Sequence, residues 1–166
     1  MGRSKTLQNL KAAFDGEAKA SMRLLGYAEV AEREGYGQIS RLFRAISAAE
    51  KVHALKHLRL LKVIGNTEEN LQAALESEAS ISENTYPEFI QIAGEEAFHG
   101  AQTSFSHARD AEACHARLYK HALEHMLAQE ETRYYICPVS GYVADGEPPE
   151  RCPICGARGE SFICVE

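Results

Sequence analysis

Four stretches of this chain carry apolar residues at alternating steps of three and four, and a glutamate interrupts each of them near its middle. The first stripe runs from Leu7 through Leu10, Phe14, Glu17, Ser21 and Leu24 to Ala31. The second runs from Ile39 through Leu42, Ile46, Glu50, His53, His57 and Leu60 to Ile64. The third takes Leu71, Leu75, Glu78, Ser82, Thr85, Phe89 and Ile92, and the fourth Phe98, Phe105, Glu112, His115, Tyr119 and Met126. This period belongs to amphipathic helices. Four of them, each needing to bury one face, predict an all-α four-helix bundle. Gly35 and Gly37 end the first segment, Gly65-Asn66 ends the second, and Thr67 is the expected N-cap of the third. Pro87 is expected to kink the third helix without ending it, because the stripe continues beyond it.

The glutamates constrain the chemistry. Burying one unpaired carboxylate costs several kcal/mol. Four facing one another would exceed the roughly 5–15 kcal/mol that stabilises a whole domain, unless cations neutralise them. Two of the four are followed three residues later by histidine, as Glu50-Lys-Val-His53 and Glu112-Ala-Cys-His115. Positions i and i+3 share a helix face, so each pair can grip one metal ion. The separation repeats too: Glu17 to Glu50 is 33 residues and Glu78 to Glu112 is 34, an internal repeat of a helical hairpin. A Glu from each of two helices and a Glu-x-x-His from each of two others is the ligand set of ferritin-like di-iron and di-manganese bundles. Carboxylate with imidazole suits iron or manganese, bridged by two of the glutamates. His57, one turn past His53, is a candidate switching ligand or hydrogen-bond partner of a ligand. His121 and His125 lie off the stripe, and Cys114 reads as a packing residue.

Composition changes near residue 130. Four prolines, four glycines and four cysteines crowd into residues 134–166, beyond a polar linker at Ala128–Thr132. The expected domains are therefore 1–132, the helical bundle, and 133–166, a small metal knuckle. In the tail, Cys137-x-x-Ser140 and Cys152-x-x-Cys155 form a paired knuckle, with Pro after the first cysteine and Gly after the fourth position of each. Such turns point backbone amides at sulfur. Four cysteines in this spacing would hold tetrahedral zinc or a single iron; here Ser140 stands in one position. Ser140, Cys164 or water could complete the sphere, or the segment could be a packed loop without metal. Five cysteines, an odd number, read as a reducing, cytoplasmic setting. A net charge of −6 gives no nucleic-acid footprint. No segment approaches the ~18 apolar residues of a membrane helix.

At these residues the chain resembles rubrerythrin, a ferritin-like di-iron protein with a C-terminal rubredoxin-like domain. The resemblance rests on Phe14-Asp-Gly-Glu17, Glu50-Lys-Val-His53, Asn70-Leu through Glu78, Tyr86-Pro87, Ala111-Glu112-Ala-Cys-His115 and the tail from Tyr135 to Gly156. It implies a non-haem peroxidase reducing hydrogen peroxide to water, with electrons from an external donor protein entering through the rubredoxin-like centre. It implies two irons held by Glu17, Glu50, His53, Glu78, Glu112 and His115, Tyr86 hydrogen-bonded to a ligand, and one iron or zinc at Cys137, Ser140, Cys152 and Cys155. Three residues depart from the family pattern. Ile81 replaces a second glutamate three residues after Glu78, Leu24 replaces a tyrosine one turn past Glu17, and Ser140 replaces a knuckle cysteine. A ferroxidase or dioxygen-reducing protein, and an iron-holding sensor without turnover, are the rival readings.

Assembly is legible in a loop. Ferritin-like bundles need one connection running the length of the bundle, roughly 35–40 Å for helices of this size. The few residues at Gly65–Thr67 cannot cross it at about 3.3–3.6 Å each. A domain-swapped homodimer is expected, with an up-down-up-down monomer as the alternative.

Overall fold

The computed structural model of the chain describes residues 4–126 and 131–165. The expected linker therefore lies partly outside the described residues. The chain divides into two compact units, Met1–Gly65 and Asn66–Glu166.

The first unit is a hairpin of α1 (Lys5–Arg33) and α2 (Gly37–Leu61). Its turn uses Gly35 at φ 83°, and the amide of Tyr36 reaches back to the carbonyl of Ala31 at 2.8 Å. The two helices meet through small residues. Ser40, Ser47 and Ala54, spaced by seven on α2, are buried, as are Ala28 and Ala31 on α1. Ser21 and Ser47 clasp across the pair, each hydroxyl donating to the other's carbonyl at 3.0 and 2.9 Å. The aliphatic stripe expected to be buried is not what packs here: Leu42 is 51% exposed and Ile46 40%. Small side chains allow the closer backbone approach, so they take the helix–helix seam and leave the aliphatic row on another face.

The second unit opens with α3 (Thr67–Ser80), continues through a π-helical turn (Ile81–Thr85) into α4 (Tyr86–Glu95), and returns as α5 (His99–Glu124), on which α3 and α4 both pack. Its N-cap is Asn66 rather than Thr67. Asn66 accepts from the Glu69 amide at 2.9 Å, and Glu69 accepts from the Asn66 amide at 2.8 Å. That reciprocal box needs a Glu three residues on; Thr67 would face Asn70. Helix does continue through Pro87, but the disturbance precedes it. Pro87 has no N–H to donate and its ring would collide with the carbonyl four residues back, and the π turn widens the backbone just there.

The π turn also accounts for an irregularity of the repeat. The α4–α5 turn copies the α1–α2 turn, with Ala97 at φ 54° in place of Gly35 and the Phe98 amide bonded to the Ala93 carbonyl at 2.9 Å. From each turn to the following Glu, Gly35 to Glu50 and Ala97 to Glu112, the distance is 15 residues. From Glu17 to Gly35 it is 18, and from Glu78 to Ala97 it is 19. The surplus residue is the one that the π turn accommodates.

After α5 comes a three-stranded antiparallel sheet of order β2-β1-β3, with β1 Tyr134–Ile136, β2 Val143–Asp145 and β3 Ile163–Val165. Tyr135 pairs with Ala144 on one side and Cys164 on the other. Among the described residues no helix is long and apolar enough to cross a membrane.

Candidate metal centre

Each helical unit gathers one Glu–Glu–His trio. In the first unit Glu17 comes from α1, and Glu50 and His53 from α2. The His53 Nδ1 lies 3.1 Å from Glu50 Oε2 and 3.9 Å from Glu17 Oε1. In the second unit Glu78 comes from α3, and Glu112 and His115 from α5. The His115 Nδ1 lies 2.8 Å from Glu112 Oε2. The i, i+3 spacing on α2 and α5 sets both pairs on one face, and the hairpin turn brings the remaining Glu alongside.

The electrostatics show what each trio lacks. Hydrogen bonding to Glu50, ahead of burial and of that carboxylate's charge, raises the pKa of Glu17. Burial, then a hydrogen bond with Glu112, pushes Glu78 up to about 7. A carboxyl raised by a neighbouring carboxylate is one whose charge a bound cation would offset. A divalent ion holds nitrogen and oxygen donors at about 2.0–2.2 Å, so its ligands lie within about 4 Å of one another. The donor atoms of each trio already lie within 4.8 Å of one another. The residues fit the iron that the ligand set implies.

His115 is held from both sides. Its Nε2 hydrogen is donated to the carbonyl of Gly141 at 2.9 Å, while Nδ1 lies 2.8 Å from Glu112 Oε2. This is the outer-sphere arrangement that orients metal-binding histidines. Gly141 sits at φ 77° and close to Ala111 of α5, and Cys114 is buried beside it with its Sγ 3.8 Å from the Val143 carbonyl. Cys114 thus packs the knuckle onto α5, and burial raises its thiol pKa. Nothing in the helical pattern pointed to Gly141, because a backbone carbonyl leaves no trace in a sequence.

Tyr86 forms an aromatic cluster with Phe89 and Phe105, ring centroids 6.1 Å away in each case. Burial and then the charges of Glu112 and Glu78 raise its pKa, so it stays a neutral phenol. The hydrogen bond expected from its hydroxyl to a ligand is not formed among the described residues. His121 and His125 stack on each other at 4.2 Å on an exposed surface, apart from the trios.

The knuckle is a pair of equivalent turns. Gly141 N bonds to Cys137 O at 3.0 Å and Gly156 N to Cys152 O at 2.9 Å, with both glycines at positive φ. Cys137, Cys152 and Cys155 cluster, and Ser140 occupies the position equivalent to Cys155. A tetrahedral ion with thiolates at about 2.3 Å sets sulfur–sulfur edges near 3.8 Å. Cys137 and Cys155 lie 3.6 Å apart, and Ser140 Oγ lies 3.3 Å from Cys152 Sγ. Burial pushes the Cys137 thiol up, but hydrogen bonds from the Ser140 side chain and backbone outweigh it and bring the pKa down to about 7. Cys164, the rival fourth ligand, is exposed on β3 and bonds to the Val165 carbonyl.

Comparison with known proteins agrees with this geometry. Residues 8–123 match the rubrerythrin family and residues 135–163 the rubredoxin-like domain of rubrerythrin. The chain is 34% identical to rubrerythrin-2 of Clostridium acetobutylicum over 95% of both chains. It is 34% identical to nigerythrin of Nitratidesulfovibrio vulgaris over 95% of this chain and 85% of that one. The solved structure of nigerythrin in a mixed-valent state covers 99% of this chain and 88% of its own, at 33% identity and a TM-score of 0.60. That of the fully reduced, all-ferrous state gives 32% and 0.59.

Proposed function

This chain belongs to the rubrerythrin family of di-iron proteins, and from that premise we propose that it is a peroxidase reducing hydrogen peroxide to water. The observation that carries the reading is the pairing of two Glu–Glu–His trios with a thiol knuckle whose Gly141 carbonyl holds His115. Glu17, Glu50 and His53 would hold one iron, Glu78, Glu112 and His115 the other. Iron held there in the ferrous state would supply the two electrons that peroxide reduction needs. The protein's part is to shape the site and move protons. Reduction of one peroxide to two waters consumes two protons as well as two electrons. With iron bound, Glu78 and Glu112 would be ligands without a proton to give, so the protons must come from another group. Tyr86, kept neutral, offers a hydroxyl beside the same carboxylates.

Cys137, Cys152, Cys155 and Ser140 would hold the electron-entry metal, iron or zinc, with an external protein donating electrons when it is iron. The Cys137 thiol needs little to deprotonate for that role. Free thiols in this arrangement suit a reducing compartment such as the cytoplasm.

A homodimer exchanging helical hairpins is supported by the exposed aliphatic rows. Leu42 and Ile46 on the first unit and Phe89 and Ile92 on the second lack cover within the chain. Glu17 and Glu50 are still 31% and 24% exposed, so a single chain does not dry the site. Five residues, 62–66, join α2 to α3, a reach of about 18 Å at most.

Ile81, where the family has a further carboxylate, favours a second reading, a ferroxidase or dioxygen-reducing protein. Stopped-flow mixing of diferrous protein with peroxide and with dioxygen separates the two. Faster oxidation by peroxide is expected. Faster oxidation by dioxygen supports the second reading, and slow oxidation by both leaves an iron-holding protein without turnover.

A further inference from the structure

We propose that His57 is a third imidazole ligand of the bundle, adding a second nitrogen to the ion held by Glu17, Glu50 and His53. The inference rests on the reading that this trio holds a metal ion.

Two observations converge on it. On α2, Glu50, His53 and His57 stand at i, i+3 and i+7 and therefore share a face, and two histidines four residues apart on one helix face can bind a single ion. The Nδ1 atom of His57 is buried and has no hydrogen-bond partner; with Ser40 Oγ it is one of two such side-chain atoms among the described residues. A buried polar atom left unpaired costs about 1–3 kcal/mol. Nδ1 is also the nitrogen that His53 and His115 turn toward Glu50 and Glu112. His57 stands outside the cluster of donor atoms that Glu17, Glu50 and His53 form within 4.8 Å, so ligation requires its ring to turn toward them.

The repeat makes the placement asymmetric. The residue equivalent to His57 on α5, seven after Glu112, is Tyr119. One half-site would thus hold its ion with two nitrogens and the other with one. Imidazole favours iron, nickel and zinc over magnesium and manganese, which prefer oxygen donors. The two positions would then differ in metal preference, the His57 side being the less suited to manganese.

X-ray absorption of the full-length protein loaded with two cobalt(II) ions per chain tests this directly. Three imidazoles shared by two ions are expected from the outer-shell scattering of wild type, falling by one third in His57→Gln. The same substitution is expected to weaken one of the two cobalt sites about 10–100-fold and leave the other unchanged. His57→Tyr, the residue type in the equivalent position of α5, gives the same loss with the ring volume retained. One imidazole per ion in wild type, or scattering unchanged in both variants, overturns the assignment of His57 while leaving the trios intact. Wild type that binds no cobalt at the bundle overturns both the ligand and the reading beneath it.

Discussion

The Nε2 of His115 donates to the carbonyl of Gly141 at 2.9 Å, so a ligand on α5 is oriented by the turn that follows Ser140 in the knuckle. Gly141 is held at φ 77°, a left-handed conformation that costs other residues about 1–2 kcal/mol. A Cβ there would meet only Ala111 at ordinary contact distance, so the strain is conformational. Gly141→Ala is expected to lower stability by about that amount in chemical denaturation, and to weaken the metal site containing His115. A variant with unchanged stability and unchanged metal affinity would contradict this.

Ala97 sets up the opposite experiment. It adopts φ 54° where the equivalent turn of the first unit has Gly35. Replacing it by glycine removes the left-handed penalty and adds back some unfolded-state entropy. Ala97→Gly is expected to stabilise the protein by ~0.5–1 kcal/mol, read as a higher denaturation midpoint with the same slope.

The Glu78 carboxyl, with a pKa of about 7 in the fold against 4.5 ordinarily, binds a proton more tightly folded than unfolded. The stability this gives the metal-free protein is complete below pH 4.5 and is lost as pH rises through 7. Glu78→Gln should flatten that slope, worth up to ~3 kcal/mol. Metal loading runs the other way, since the ion must displace the proton. Affinity should rise with pH up to about 7, and calorimetry in buffers of different ionisation enthalpy should count the protons released.

At the knuckle, Ser140→Cys would supply the fourth thiolate where Ser140 Oγ now lies 3.3 Å from Cys152 Sγ. Iron-loaded Ser140→Cys is expected to show stronger thiolate charge-transfer absorption and slower loss of iron to a chelator. Ser140→Ala, with no donor, should lose iron faster than wild type. Equal rates in all three would remove Ser140 from the ligand set.

The proposed swapped dimer would bury the exposed aliphatic row of α2. Leu42→Asp with Ile46→Asp leaves the Ser40–Ser47–Ala54 seam untouched. Light scattering should show a dimer for wild type and a monomer for the double variant, with the α1–α2 hairpin still helical.

Both trios and the knuckle are legible in the sequence, because a carboxylate or histidine in phase with an apolar helical stripe is costly to bury unless it binds a cation. The α1–α2 seam is not. Serines and alanines look neutral in a hydrophobicity pattern, and only backbone proximity shows that Ser40, Ser47 and Ala54 pack while Leu42 and Ile46 do not. The cap at Asn66 lies one residue from the expected Thr67, since Asn and Thr are both good caps and the choice turns on Glu69. The π turn leaves a faint mark, a repeat of 34 residues against 33, that gains meaning only once the two hairpin turns are seen to match.

That odd residue makes length, more than identity, the sensitive variable between 81 and 85. An α-helix turns about 100° per residue. Deleting one residue here would restore uninterrupted helix and swing all of α4 around its axis by more than a quarter turn. Tyr86 and Phe89 would leave Phe105, and the second hairpin would acquire the spacing of the first at the expense of its aromatic cluster.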